Sequence, residues 1–187
     1  MASQFEKIYL NDYRLDNWQM SESEKIILFG LLQLLKPQLS IEVGTFCGGS
    51  LSMISKFSEK VYSLDIDQTA SDFIDSKNVT FILGDSEQTL PQILKQSVLD
   101  SETPNFILID GNHSENGIKY DISSLLNFRG WLARCTVLFH DFGNPICKAA
   151  AASANHRSVS DIIDPECDAT IQQPSSKRTR QATAALG

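Results

Sequence analysis

The pattern of hydrophobic and polar positions alternates regularly along the middle of the chain. Five short β-prone runs are separated by segments in which apolar residues recur at helical spacing, as in the stripe of Leu90, Ile93, Leu94 and Val98. The predicted strands are Leu39–Val43, Lys60–Leu64, Val79–Leu83, Asn105–Ile109 and Thr136–Phe139. The later runs are continuously apolar, which is typical of strands covered on both faces. This order predicts an α/β fold, a Rossmann-like, doubly wound and mostly parallel sheet with helices on both faces.

The regions before and after this alternation have different patterns. Ser21 and Glu24 have the spacing of a capping box before the apolar stretch Ile26–Leu35, and Pro37 ends the predicted helix. We therefore divide the chain into an N-terminal helical cap (residues 1–38), a cofactor-binding core (39–145), an unassigned part (146–171) and a predicted disordered tail (172–187). The last two parts make the C-terminal third atypical of the fold, although Ser158–Ile163 is compatible with one strand.

Composition and charge narrow the class of partner. The net charge is −7, and an acidic surface repels nucleic acids and anionic lipids. We therefore expect a small-molecule substrate, no nucleic-acid partner and no membrane, and we leave homo-oligomerisation open. The four cysteines are scattered without metal-ligand spacing, and the first residues lack the features of a signal peptide, which predicts a cytoplasmic protein.

The first predicted strand runs into a glycine-rich turn. Gly44, Gly48 and Gly49 allow tight backbone turns, and the next helix begins near Ser50, so its N-terminus suits a carboxylate or a phosphate. The spacing G-x-x-x-G-G differs from the G-x-G-x-x-G of dinucleotide-binding proteins. By itself this turn is equally typical of a plain connection between a strand and a helix.

An acidic residue occurs at the end of every predicted strand. These acids are Glu42, Asp65, Asp85, Asp110 and Asp141. Asp65 follows Gly44 by 21 positions, the separation at which an acid accepts hydrogen bonds from ribose hydroxyls. Each acid alone is equally compatible with a solvated loop or a helix cap. Because the ends of parallel strands share one edge, the five together predict a site for a cationic ligand, a metal or several hydroxyls.

Five segments of the chain resemble a known family. The segments EVGTFCGGS, VYSLDID, FILGDS, FILIDGNHSENGIKYDI and VLFHD are similar to class I S-adenosylmethionine-dependent methyltransferases, over about residues 20–145. The nearest branch is the small-molecule O-methyltransferases, including the macrocin O-methyltransferase and cephalosporin-hydroxylase-like group. The resemblance implies methyl transfer from S-adenosylmethionine to a small-molecule acceptor, with a hydroxyl oxygen expected.

The same resemblance implies roles for individual residues. Glu42, Gly44, Gly48 and Ser50 would border the methionine part of the cofactor. Asp65 would hold the ribose, Asp85 and Ser86 would flank the adenine, and Asp110 would lie near the sulfonium.

The implied reaction needs a group that takes the proton of the acceptor hydroxyl. His113 is the first candidate for this general base and His140 the second, because imidazole titrates near neutral pH. Asp110 completes the predicted catalytic set. For each histidine, a hydrogen-bonding residue in a loop is the alternative.

Whether the protein binds a divalent cation is left open. Related O-methyltransferases bind Mg²⁺ after strands four and five, which here would mean Asp110 and Asp141. Mg²⁺ prefers oxygen ligands, so the adjacent His140 weakens the match, and the choice between Mg²⁺ and another divalent cation stays open.

Two alternatives to an active methyltransferase stay open. The atypical C-terminal third is compatible with a non-catalytic protein that binds the cofactor or a partner. A nicotinamide-dependent oxidoreductase is disfavoured by the glycine spacing and by the acids after strands three to five.

Overall fold

A computed structural model describes residues 18–141, 143–153 and 162–163. The helices are α1 (Glu22–Leu35), α2 (Gly49–Phe57), α3 (Ser86–Leu99), α4 (Glu115–Asn127) and α5 (Pro145–Ser153), with a 3₁₀ helix at Gln68–Phe73. The strands are β1 (Leu39–Val43), β2 (Lys60–Asp65), β3 (Val79–Leu83), β4 (Phe106–Ile109), β5 (Thr136–Phe139) and β6 (Ile162–Ile163). The five predicted strands are present, with bounds that differ by at most one residue.

The strands form one parallel sheet in the order β3-β2-β1-β4-β5-β6. The chain winds outward from β1 through β2 to β3 and then crosses to β4 on the other side of β1. The carboxyl ends of β1 and β4 therefore flank a topological switch point, where ligands bind in open α/β sheets. The prediction of a doubly wound α/β fold is confirmed.

Alternating side chains of the strands build a hydrophobic core on each face of the sheet. Ile41 and Val43 point to the face covered by α3, α4 and α5. Phe106 and Leu108 point to the opposite face, which α1 and α2 cover. Glu42 is paired in register with Leu108, so its side chain points to the α2 face.

Helix α1 begins at the predicted capping box. The Ser21 hydroxyl accepts a hydrogen bond from the Glu24 amide, and a Glu24 carboxylate oxygen accepts one from the Ser21 amide at 2.6 Å. Leu28 and Leu32 are fully buried beside α2, whereas Leu34 is 81% exposed. Helix α1 thus packs with only one side against the molecule, although apolar residues occur almost all round the helix.

The C-terminal part is described only over α5 and β6. The two residues of β6 pair in parallel with β5 and fall within the stretch compatible with a strand. Residues 1–17 of the predicted cap and the predicted tail, residues 172–187, lie outside the described residues. Within the described part, no helix combines the length and the hydropathy needed to cross a membrane.

Candidate functional site

A cavity of about 400 Å³ lies at the carboxyl edge of the sheet. Its walls are formed by residues 18–20, by the loop and helix start after β1, and by the residues that follow β2, β3 and β4. The volume is in the range of small-molecule sites, about 300–1,000 Å³. The cavity therefore lies where the strand order predicts a ligand.

The loop after β1 is held by backbone packing and by Asp65. At Gly44, which has a φ of 94°, a Cβ atom would collide with the backbone carbonyl of Asp110, so only glycine fits beside the end of β4. One Asp65 carboxylate oxygen accepts the amides of Thr45 and Phe46, both at 2.8 Å, and the other accepts the amide of Asp67 at 2.9 Å. These bonds hold Phe46 at a φ of 46°, an uncommon conformation for a residue other than glycine.

Helix α2 begins at this cavity without a side-chain cap. Its N-cap is Gly48, and no side chain of the described residues caps its first amides, whereas α1, α3 and α4 are capped by Ser21, Asp85 and Ser114. Gly49 and Ser50 line the cavity at this helix start. The first amides of α2 and its positive dipole end are therefore available to an anionic group of a ligand.

Glu42 lies behind this helix start and is fully buried. Its two carboxylate oxygens accept hydrogen bonds from Ser50 and Ser63, each at 2.7 Å. Burial raises the pKa of Glu42 to about 8 against the effect of these two bonds, and the charges of Asp110 and Asp65 raise it further. Glu42 does not line the cavity, and its carboxyl group instead fixes the position of Ser50.

The far end of the cavity is at the start of α3. Asp85 lines the cavity and also caps α3, because its carboxylate accepts the Glu87 amide at 3.0 Å. Ser86 lines the same wall. Behind it Asp121 is fully buried, and neither of its carboxylate oxygens has a hydrogen-bond partner in the part of the chain that the structure describes. Burial raises the pKa of Asp121 to about 6, against an opposing contribution from Ser86.

Residues 18–20 close one side of the cavity. Trp18, Gln19 and Met20 line it, and Trp18 is 9% exposed with a buried indole nitrogen that has no hydrogen-bond partner among the described residues. The Lys25 ammonium lies 5.1 Å from the centre of the Trp18 ring. A Cβ atom on Gly49 would collide with the Trp18 side chain, so the indole packs directly on the start of α2.

Next to the cavity, two histidines and three carboxylates form what we call the histidine–carboxylate cluster, consisting of Glu24, Asp110, His113, His140 and Asp141. Asp110 Oδ1 lies 2.8 Å from His140 Nδ1 and 3.4 Å from His113 Nε2. The second nitrogen of each ring faces another carboxylate, Glu24 Oε1 at 3.0 Å from His140 Nε2 and Asp141 Oδ2 at 3.3 Å from His113 Nδ1. Asp110 belongs both to this cluster and to the wall of the cavity.

The cluster favours positive charge on its histidines. Burial lowers the pKa of His140, but Asp110 and Glu24 outweigh this effect and raise it to about 10. Asp110 likewise raises the pKa of His113, against the effect of its burial. Burial raises the pKa of Glu24, yet His140 and Ser21 outweigh it and lower the value to about 2. Without another cation, His140 is therefore protonated at neutral pH.

Comparison with known protein families identifies the chain. Residues 41–142 match a family described as a methyltransferase domain, and this match spans more than half of the sequence. The chain belongs to this methyltransferase family. The match begins within β1 and ends just after β5, so it contains the strand ends that form the cavity. The class I methyltransferase resemblance found in the sequence is confirmed.

Solved structures show that the methyltransferase domain has the fold expected of this family. CalS11, a TDP-rhamnose 3′-O-methyltransferase of calicheamicin biosynthesis, is 14% identical with a TM-score of 0.55, over 82% of this chain and 77% of CalS11. The SAH-bound methyltransferase PaMTH1 of Podospora anserina is 17% identical with a TM-score of 0.54, over 65% of this chain and 53% of PaMTH1. No curated protein matches the chain in sequence.

The alignments cover only part of several of these proteins. MycE of the mycinamycin pathway, crystallised with Mg and SAH, is 22% identical over 48% of this chain and 24% of MycE, with a TM-score of 0.38. The chain thus spans between about a quarter and about half of the first structures that it matches.

The structure brings most of the predicted site residues of the methyltransferase domain together. Gly44, Ser50, Asp65, Asp85, Ser86 and Asp110 line the cavity. Glu42 and Gly48 do not line it, because the pleat turns Glu42 toward α2 and Gly48 packs against Phe73. His113, His140 and Asp141 lie in the adjacent cluster. Asp141 also has a positive φ of 55° at the end of β5.

Three residues near the site were missed by the sequence analysis. Trp18 precedes the capping box without any motif of its own, and Glu24 was interpreted only as a member of that box. Asp121 lies at a helical position among apolar residues, which is the one signal that could have indicated it. Each of these side chains reaches the site through contacts between segments distant in sequence.

Proposed function

We propose that this chain binds S-adenosylmethionine in the cavity and transfers its methyl group to a hydroxyl oxygen of a small molecule. Membership of the methyltransferase family supports the reaction class. The SAH in the PaMTH1 structure supports the choice of cofactor. The single observation that carries the proposal is the position of Asp110, which lines the cavity and also contacts His140 in the histidine–carboxylate cluster.

The walls of the cavity match the chemical groups of this cofactor. The uncapped start of α2 suits the methionine carboxylate. Asp110 offers negative charge to the ammonium and sulfonium groups. Asp65 uses three acceptor positions on backbone amides, and a carboxylate has about four, so it keeps capacity for a ribose hydroxyl. Exposed Phe46 and Ile66 add apolar surface for the adenine.

S-Adenosylmethionine supplies an electrophilic methyl carbon on a positively charged sulfur. The protein's task is to hold the acceptor oxygen in line with that carbon and to remove its proton. We assign proton removal to His113, because its side chain is 36% exposed whereas that of His140 is 9% exposed. His140 keeps its proton at neutral pH, so we assign it to positioning Asp110 rather than to the role of base.

A divalent cation fits the cluster as well. Among the described residues, Nδ1 of His140 and Nε2 of His113 are buried without a hydrogen-bond partner, so each can bind a cation once it has lost its proton. Asp110 and Asp141 are the carboxylates that the resemblance to O-methyltransferases suggests. A bound divalent cation would lower the pKa of an acceptor hydroxyl.

One second candidate is a non-catalytic protein that binds the cofactor or a partner, because the sequence pattern after residue 145 is atypical of the fold. A diphosphate-containing nicotinamide cofactor is disfavoured, because Asp85 and Asp110 would repel its phosphates. We expect a cytoplasmic location, because Cys47, Cys135 and Cys147 are free thiols.

Calorimetry and a transfer assay together test the proposal. We expect S-adenosylmethionine and SAH to bind and NAD not to bind, and we expect SAH release with at least one member of a panel of sugars and phenols. Binding of NAD alone would refute the choice of cofactor. Cofactor binding without transfer to any acceptor would support the second candidate instead.

The variant His113→Ala tests the catalytic assignment. We expect kcat to fall by about 10²–10⁴-fold, the usual contribution of a general acid or base, while cofactor affinity stays unchanged. His156→Ala is the matched control, because the sequence pattern gives that histidine no role. Equal kcat in wild type and His113→Ala would remove His113 from the mechanism.

A further inference from the structure

Both histidines of the cluster are arranged in the same way around one carboxylate oxygen. His140 Nδ1 and His113 Nε2 each face Asp110 Oδ1, at 2.8 and 3.4 Å. These three donor atoms lie within 4.8 Å of one another. One nitrogen from each ring and one carboxylate oxygen are thus close enough together to share one cation.

The contacts are short, but their geometry is not that of hydrogen bonds. Among the described residues, His140 Nδ1, His140 Nε2 and His113 Nε2 are buried without a hydrogen-bond partner, although carboxylate oxygens lie 2.8–3.4 Å away. His140 is only 9% exposed, so water does not reach its nitrogens freely. Buried polar atoms without partners are costly, which indicates that a further group completes this site.

The second nitrogen of each ring, which faces away from Asp110 and is called the outer nitrogen here, lies close to another carboxylate. Glu24 Oε1 lies 3.0 Å from His140 Nε2, and Asp141 Oδ2 lies 3.3 Å from His113 Nδ1. In metal sites, the second ring nitrogen of a histidine ligand is commonly paired with a carboxylate, which fixes the tautomer and the ring orientation. Here that pairing would place the protons on the outer nitrogens and leave the inner ones as lone-pair donors.

We propose that Asp110, His113 and His140 bind one first-row transition-metal dication, such as Zn²⁺, Co²⁺ or Mn²⁺, in preference to Mg²⁺. Glu24 and Asp141 act as outer carboxylates that orient the two histidines. Imidazole nitrogens suit transition metals, whereas Mg²⁺ takes oxygen ligands and keeps several waters. Two histidines and one carboxylate leave coordination positions open beside the cavity wall at Asp110.

This inference does not depend on the proposed methyl transfer. When the metal is bound, His113 Nε2 is a ligand and no longer a free base, so proton removal by His113 belongs to the metal-free protein. Glu24 then links the first turn of α1 to the metal through His140.

The test measures metal binding by the chelator-treated chain of 187 residues, without any activity assay. Titration calorimetry with Zn²⁺ and Mg²⁺, and visible absorption with Co²⁺, give stoichiometry and affinity. We expect one Zn²⁺ or Co²⁺ per chain and at least about 100-fold weaker binding of Mg²⁺. Equal affinity for Mg²⁺, or no binding of Zn²⁺ and Co²⁺, would overturn the proposal.

Three variants locate the site. His140→Ala and His113→Ala remove ligands and should lower Co²⁺ affinity more than Glu24→Gln, which should lower it by about 10–100-fold as an outer carboxylate. Glu87→Gln, the same change in the first turn of α3, is the control and should bind Co²⁺ like wild type. Unchanged Co²⁺ affinity in His140→Ala would refute the assignment.

Two further measurements separate the possible failures. Circular dichroism and thermal unfolding identify any variant that does not fold, and Glu24→Gln keeps the shape of the side chain if an alanine variant fails. Calorimetry with S-adenosylmethionine on the metal-free chain tests the proposed function separately. If the chain binds S-adenosylmethionine but no metal, only the metal site is refuted. If it binds the metal but not S-adenosylmethionine, only the proposed function is refuted.

Discussion

At the scale of single residues, one carboxylate often has a structural and a ligand-facing role at once. Asp65 lines the cavity where an acid was expected, and it also holds the backbone of Thr45 and Phe46 in place. Asp85 lines the cavity and caps α3. For Asp85, the helix-cap interpretation and the ligand interpretation are therefore compatible rather than exclusive.

The variant Asp65→Ala should weaken binding of S-adenosylmethionine by about 1–3 kcal/mol, because charge-assisted hydrogen bonds to the ribose are lost and the loop is released. Calorimetry measures the change. The control is Asp72→Ala, which removes an exposed carboxylate from the nearby 3₁₀ helix and does not alter the cavity wall. Equal affinity in wild type and Asp65→Ala would show that this acid does not contact the cofactor.

At the scale of secondary-structure elements, the start of α2 is where the cavity, the glycine-rich loop and residues 18–20 meet. The loop and the helix were predictable, because the glycine positions and the apolar stripe are local signals. The packing of Trp18 on Gly49 was not predictable, because it joins segments about thirty positions apart in the sequence.

Two glycine substitutions test this packing. Gly49→Ala should lower both thermal stability and affinity for S-adenosylmethionine, because its Cβ would displace the Trp18 ring. Gly30→Ala is the matched control: no atom lies near its Cβ, and it should stabilise α1 by about 0.5–1 kcal/mol because alanine favours helix. Thermal unfolding and calorimetry measure both variants, and similar behaviour of the two would contradict the proposed role of Trp18.

At the scale of the whole molecule, the sheet separates two cores and carries the acids at its carboxyl edge. Asp65, Asp85 and Asp110 meet in one cavity, whereas Glu42 lies beneath it and Asp141 faces His113. The five acids that were predicted to meet at one site therefore lie in three places: the cavity, a buried hydrogen-bond network and the histidine–carboxylate cluster.

The free energy of unfolding should depend on pH through Glu42. Its pKa is about 8 in the folded chain and 4.5 as the ordinary value, so the folded state holds the proton more tightly. The resulting stabilisation is fully present below pH 4.5 and is lost as the pH rises to about 8. Urea unfolding of wild type and Glu42→Gln across this range should show wild type losing stability relative to the variant. A constant difference between the two proteins would contradict the pKa assigned to Glu42.

The sequence by itself determined the strands, the helices, their alternation and the edge of the sheet at which the acids occur. These features follow from local periodicity, from glycine and capping signals, and from the rule that parallel strands end at a common edge. Only the tertiary structure decided that Glu24 lies against His140, that Trp18 closes the cavity and that Glu42 faces away from it. Those outcomes depend on contacts between distant segments and on the packing of helices against the pleated sheet, which no local pattern specifies.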